Sequence, residues 1–334
     1  MSVERVHRMS FAVDAAAPAG VLYGLVADTT RWPLLVPATV HVERLDFDGI
    51  RDRYFMWAGP DGNVRQSVWR RTLDPERLRV DFHQEVPTAP VTSTAGSWSV
   101  EALAPGWSRL TLEQYVTVAG NRAGDVHQTR VETEADARAT LTRIRELAER
   151  WNRLDALTLS FEDSARIEGP AEPVYAFLYE VGAWPGRVPH IARADVAEDR
   201  PGIQVVSTDT LTPDGSVHTT DSVRVCFPAA GRILHKQTRP SPLLAAHTGE
   251  WSVLPDPDGV TVVSRHDVLL DEAMVERAFG PDADLAEARR SVREALGRES
   301  EATLRLTRDH ARDVAARQAE RDVARAGVRA LRAV

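Results

Sequence analysis

Trp32-Pro33-Leu34-Leu35-Val36-Pro37 is answered, 152 positions further along the chain, by Trp184-Pro185-Gly186-Arg187-Val188-Pro189. The match extends outward from this turn. Pro18 and Tyr23 recur at the same spacing as Pro170 and Tyr175. After one inserted residue the spacing becomes 153, and Asp61, Gly62, Val64, Arg71, Gly96, Trp98, Ser99 and Val100 then meet Asp214, Gly215, Val217, Arg224, Gly249, Trp251, Ser252 and Val253. A period of this length is far too long for a solenoid unit, so each copy reads as a complete domain. The copies are taken as residues 1–153 and 154–334, with the junction in the stretch 151–157.

Both copies read alike. A strand at residues 8–13 leads to Pro18 and a short helical stretch, then to the Trp-Pro turn, because proline disfavours helix in the residue before it. Segments 64–73, 78–85, 94–103 and 109–118 are short, rich in β-branched or aromatic residues, and separated by Asp-Gly, Asp-Pro or Pro-Gly turn signals. Consecutive strands with short turns predict an antiparallel sheet. A helix closes each copy, at 126–150 in the first and from about Ala283 to Arg325 in the second. In the first helix Val131, Ala135, Arg138, Leu141, Ile144, Leu147 and Trp151 fall on one face at three- and four-residue spacing. The fold class is therefore α+β, a curved antiparallel sheet with a long C-terminal helix laid across it. The concavity between sheet and helix is where a ligand pocket is expected.

Composition narrows the functions. Of the 334 residues 43% are hydrophobic and 27% charged, as in ordinary globular proteins, and no apolar run nears the roughly 20 residues of a membrane span. Met1-Ser2-Val3-Glu4-Arg5 lacks an apolar signal core, so a cytoplasmic, non-membrane protein is expected. A net charge of -8 argues against nucleic-acid binding, which needs a basic face. Cys226 has no partner for an internal disulfide, and Val225 and Phe227 beside it suggest a small buried hydrophobe. There is no Gly-rich phosphate loop, dinucleotide fingerprint, cysteine cluster or His-x-x-x-His pair, so neither a cofactor nor a metal is expected. Asp221-Ser222 near His218 shares hydrolase vocabulary, but adjacent strand residues face opposite ways.

The residues left to carry chemistry lie on the strands. Alternation puts Arg65, Ser67, Trp69 and Arg71 on one face, and His218, Thr220, Ser222 and Arg224 on the equivalent one. Arg71 and Arg224 are either exposed at a rim or set in the pocket. Trp32, Trp98, Trp184 and Trp251 read as core or pocket wall. Counting fifteen residues from each strand tryptophan reaches Glu113 in the first copy and His266 in the second. Either is a surface strand position or a proton mover, and histidine titrates nearest neutrality.

The Trp-Pro turn, the Ser-x-Arg strand, the Gly-x-Trp strand and the long last helix together resemble the polyketide aromatase/cyclases. These are cofactor-free members of the START-like, helix-grip superfamily, and the duplication looks like that of their didomain forms. The resemblance implies that Arg71 and Arg224 are pocket arginines and Ser222 the serine two residues earlier, where the first copy has Trp69. It implies that Glu113 and His266 hold the polar position of the penultimate pocket strand, often glutamine, and that Trp98 and Trp251 are the strand tryptophans. A tyrosine found after the turn in some single-domain members is replaced by Thr39 and Ile191. The implied activity is that of a monomeric cyclase/dehydratase. It would take a ketoreduced poly-β-ketone from an acyl carrier protein, close a ring between C7 and C12 by aldol condensation, and aromatise it with loss of the C9 hydroxyl. START-like cavities also carry lipids, so a non-catalytic carrier is the competing expectation.

Overall fold

Each copy of the repeat folds into its own seven-stranded antiparallel sheet in a computed structural model, which describes residues 5–59, 62–211, 215–280 and 284–332, with side chains through 325. Asp61 and Asp214 of the repeat, and Ala283 at the expected start of the second long helix, lie outside those residues. The chain divides into two units, Met1–Ala156 and Leu157–Val334.

The first unit runs β1 (Val6–Ala15), α1 (Ala19–Ala27), the single turn α2 (Trp32–Leu35), then β2 (Thr39–Phe47), β3 (Arg51–Ala58), β4 (Arg65–Asp74), β5 (Arg79–Gln84), β6 (Val91–Ala104), β7 (Trp107–Val118) and α3 (Ala123–Glu149). Its strand order is β1-β7-β6-β5-β4-β3-β2. After the turn α4 (Leu154–Leu157), the second unit repeats the plan: β8 (Thr158–Ile167), α5 (Ala171–Tyr179), β9 (Ile191–Arg200), β10 (Ile203–Leu211), β11 (Val217–Phe227), β12 (Arg232–Arg239), β13 (Leu244–Asp256) and β14 (Gly259–Leu270). The helices α6 (Glu272–Phe279) and α7 (Leu285–Arg332) follow, and the sheet order is β8-β14-β13-β12-β11-β10-β9. No helix among the described residues is long and apolar enough to cross a membrane.

The Trp-Pro turn is a staple. Trp32 Nε1–H donates to Leu25 O at 3.0 Å, and Trp184 Nε1–H donates to Phe177 O at 2.9 Å. Each indole thereby satisfies a carbonyl near the end of α1 or α5 that has no partner within the helix. In the second unit the apolar core gathers Phe177, Ile233, Val260 and Leu304 from helix and sheet. Cys226 belongs to it, and burial pushes its thiol up to about 11.

Two expectations need correction. On α3 the buried side chains are Ala137, Leu141, Ile144, Leu147 and Ala148, whereas Val131 and Trp151 are exposed. The fully buried stripe belongs to the C-terminal half; in the N-terminal half Val126 is only partly covered, against Met9, Val116 and Val118. The pairing of Glu113 with His266 also fails. In β6 Leu103 is an unpaired bulge between Ala102 and Ala104, while β13 runs unbroken to its hairpin. The extra residue returns the spacing to 152 in the next strand: Gly96 faces Gln114, and Gly249 faces His266. A slip of one residue turns a side chain to the other face of the sheet. Gln114 is therefore the counterpart of His266, and Glu113 points away.

Candidate functional site

The two arginines cap helices. Arg71 Nη1 donates to Val26 O at 3.0 Å and Nη2 to Ala27 O at 2.9 Å. Arg224 does the same one domain later, Nη2 to Leu178 O at 2.5 Å and Nη1 to Tyr179 O at 3.3 Å. Last-turn carbonyls lack partners inside the helix and carry its negative end, so a buried guanidinium is held there on both counts. Neither arginine sits on the solvent face; both are buried.

Their surroundings differ in charge. On the neighbouring strand, Asp52 pairs with Arg71 and Gln204 with Arg224. Asp52 grips Arg71 through both carboxylate oxygens, Oδ1 accepting from Nε at 3.0 Å and Oδ2 from Nη2. Four of the five N–H donors of Arg71 are thus engaged. Arg224 has instead the neutral Gln204 Oε1 at 2.8 Å, and three of its five N–H donors are engaged. No carboxylate among the described residues forms an ion pair with it. The second unit therefore holds a buried cation with donors to spare.

That cation opens on a cavity of about 160 Å³, which Trp184, Ser222, Trp251, His235, His247 and His266 also line. Strand alternation brings them together: His235 on β12, His247 on β13 and His266 on β14 share the inward face. Gly249 makes the approach possible, since a Cβ there would lie 2.5 Å from His235 Cε1. His247 Nε2 and His266 Nδ1 are hydrogen-bonded at 2.9 Å, and His266 Nε2 is 2.7 Å from Ser300 Oγ and 3.1 Å from Ser264 Oγ. Burial drives the His235 ring down to about 3, the His266 ring down to about 4, and His247 well below its ordinary value. All three are neutral near pH 7.

The first unit carries Phe82, Thr94 and Gln114 at the corresponding positions, and Gln114 Oε1 is buried without a hydrogen-bond partner. Trp69, in place of Ser222, packs edge-on against Phe82 with centroids 5.8 Å apart, and its Nε1 donates to Ser67 Oγ at 2.8 Å. Trp32 and Trp98 meet edge to face at 6.5 Å. Glu113 lies on the outer side of the sheet, ion-paired with Arg8 and accepting from Tyr115 Oη at 3.1 Å. The Arg8 guanidinium holds its carboxyl below the usual range, which makes Glu113 a poorer base. A wider depression of about 780 Å³ on that side is lined by Arg53, Arg70, Arg79 and Tyr115.

Of the residues expected from sequence, the structure thus gathers Ser222, Arg224, His266, Trp184 and Trp251 in one cavity. It leaves Arg71 in a neutralised pair and Glu113 outside. Sequence reasoning missed Gln204, His235, His247, Ser264 and Ser300. His247 could have been found, since it shares the face of Gly249 and Trp251 by alternation.

The family model described as polyketide cyclase/dehydrase and lipid transport matches residues 15–148. The granaticin polyketide synthase bifunctional cyclase/dehydratase of Streptomyces violaceoruber is 38% identical over 313 residues, 93% of this chain and 95% of that one. The actinorhodin polyketide synthase bifunctional cyclase/dehydratase of Streptomyces coelicolor is 35% identical over 315 residues, 91% of this chain and 97% of its own. Among solved structures, the di-domain ARO/CYC BexL from the BE-7585A biosynthetic pathway superposes with a TM-score of 0.81 at 37% identity, covering 91% of this chain and 98% of BexL.

Proposed function

The chain belongs to the family of polyketide cyclase/dehydratases, and from that premise we propose that it closes and aromatises the first ring of a ketoreduced poly-β-ketone delivered by an acyl carrier protein. The ring closes between C7 and C12, and the C9 hydroxyl leaves as water. Chemistry takes place in the second unit, and the first helps to receive or shape the chain.

One observation carries this reading: the cavity of the second unit has aromatic walls, yet buries an arginine that no carboxylate ion-pairs directly, although Glu299 lines the same cavity and Glu198 lies behind Gln204, together with a hydrogen-bonded histidine network. Burying such groups is costly, and a carrier of a hydrophobic ligand gains nothing from them. A neutral His266 can take the proton from C12, which is flanked by ketones. The electron pair left on C12 attacks C7, forming the C7–C12 bond and moving the carbonyl pair onto oxygen. Arg224 is always protonated, so it acts as donor to the enolate and alkoxide oxygens and not as base. The same burial that makes His266 a weak base makes its protonated form a strong acid. It returns that proton to the C7 alkoxide. Each following loss of water then breaks the C–O bond at C7 or C9 as a proton leaves the adjacent C12 or C10, with His266 donating a proton to the departing hydroxyl. Ser300 and Ser264 fix the ring, and Ser222 is within the cavity to position an oxygen.

The test is a reconstituted synthase with and without this chain. Wild-type protein should divert shunt products into one aromatic product. His266→Gln, folded by melting, should form that product roughly 10²–10⁴-fold more slowly, the usual worth of a general acid–base group. An unchanged product spectrum on adding wild type would favour the carrier.

A further inference from the structure

His235, His247 and His266 stand on three adjacent strands with one ring nitrogen of each within 4.8 Å of the others. We propose that these three imidazoles bind a divalent transition-metal ion, zinc by preference, leaving its fourth coordination position open to the cavity.

Tetrahedral zinc with Zn–N bonds of roughly 2.0–2.1 Å sets its ligand nitrogens about 3.4 Å apart. That spacing lies between the 2.9 Å separating His247 Nε2 from His266 Nδ1 and the 4.8 Å limit of the cluster. Ring centroids 5.1, 5.5 and 6.3 Å apart set the three imidazoles around one centre, toward which the near-parallel His247 and His266 rings would turn on binding. The strands supply a rigid frame, and Gly249 between β12 and β14 leaves the space in which His235 lies.

The groups around the cluster fit as well. A ligating histidine generally has its second nitrogen held by another group. Ser300 and Ser264 hold His266 Nε2 in this way, which leaves Nδ1 to coordinate, whereas His247 Nδ1 is buried with no such partner. His235 has no ring hydrogen bond among the described residues, so no competing partner must be displaced. Burial keeps the rings neutral, the form in which imidazole binds metals. Asp163 and Asp267 favour a cation near His266, whereas Arg293 opposes it there and Arg224 opposes it near His235. Three histidines and no carboxylate match a borderline ion such as zinc better than magnesium or calcium. An open fourth position is the arrangement of catalytic zinc, and Ser222 and Arg224 line the same cavity as the three histidines. If the cyclase reading holds, the two roles of His266 belong to different states. The ion-free ring moves the proton, whereas with the ion on Nδ1 that ring is a ligand and the ion would instead polarise a ketone oxygen. Phe82, Thr94 and Gln114 make the first unit an internal control without the ligand set.

Metal binding is read without reference to turnover, so its outcome and that of the cyclase reading are separable. The full-length, tag-free chain, stripped by chelator, is titrated with cobalt(II) and then with zinc. One equivalent of cobalt should give the intense visible bands of a tetrahedral nitrogen site, zinc should displace them, and elemental analysis after gel filtration should find one zinc per chain. His247→Ala and His235→Phe should each abolish the bands and lower retained zinc at least tenfold. His235→Phe copies the residue of the first unit and guards against a folding artefact, with melting checked for both. Absence of the bands in folded wild type, or binding that persists in folded His247→Ala and His235→Phe, would overturn the proposal; persistence would assign the metal to other histidines.

Discussion

Arg71 and Arg224 show how one repeated side chain can hold two structures and serve different ends. Each caps a helix, and that need alone explains why both copies have arginine. What differs is the neighbour, Asp52 or Gln204. Arg71→Ala strands a buried carboxylate and two helix carbonyls, so it should cost about 3–5 kcal/mol, read by chemical denaturation. Gln204→Asp asks the converse question, by giving Arg224 the carboxylate that Arg71 already has. The helix cap survives and the cation is neutralised, but Glu198 loses the donor it has in Gln204 Nε2, so folding is checked by melting, and ring closure by the folded variant in the reconstituted assay should slow. Equal rates would mean that the charge on Arg224 is not used. The arginines could be read from the repeat because they recur in register. Their partners could not, because Asp52 and Gln204 lie on another strand and differ in type.

Strand register decided which candidates converged. The repeat, the antiparallel sheets and the closing helices were all readable, because turn signals and duplicated motifs are local or recur at fixed spacing. The bulge at Leu103 was not, since nothing in Ala102-Leu103-Ala104 announces an unpaired residue, and its effect was to exchange Glu113 for Gln114. The α3 face misled for a related reason: periodicity predicts a stripe, but only packing decides how far along the helix it is covered. The glycine of the Gly-x-Trp strand has a tertiary cause. At Gly249 an added Cβ would lie 2.4 Å from Arg265 O as well as against the His235 ring, and at Gly96 it would lie 2.6 Å from Phe82 Cζ. A backbone contact cannot rotate aside. Gly249→Ala should therefore destabilise the second unit by roughly 1–3 kcal/mol, the range for overpacking. A melting temperature equal to wild type would show that the strand relaxes freely.

The two units should respond differently to acid, because their buried and paired groups titrate in different windows. In the first, hydrogen bonds from Arg53 and Arg70 lower the Glu85 carboxyl to about 2. A carboxylate depressed on folding contributes stability above its unfolded value near 4.3, and that contribution is lost as the pH falls toward 2. In the second unit His235 and His266 titrate near 3 and 4, against about 6.5 when unfolded. Between those values the unfolded state binds more protons than the folded one, so stability rises with pH through that interval. The contribution is complete above about pH 6.5, is lost as pH falls to about 4 and below, and then levels off. Hydrogen exchange in the presence of chelator, followed at amides of each unit from pH 7 to 4.5 after correction for the intrinsic rate, should show the second unit losing protection first. His235→Phe should remove up to about one proton from that dependence, roughly 1.4 kcal/mol per pH unit where the histidine is fully protonated in the unfolded chain and neutral in the fold. If the second unit kept its protection down to pH 4.5, or if His235→Phe left the slope unchanged, these rings would be accepting protons inside the folded cavity. The neutral His266 on which the proposed proton transfer depends would then not exist.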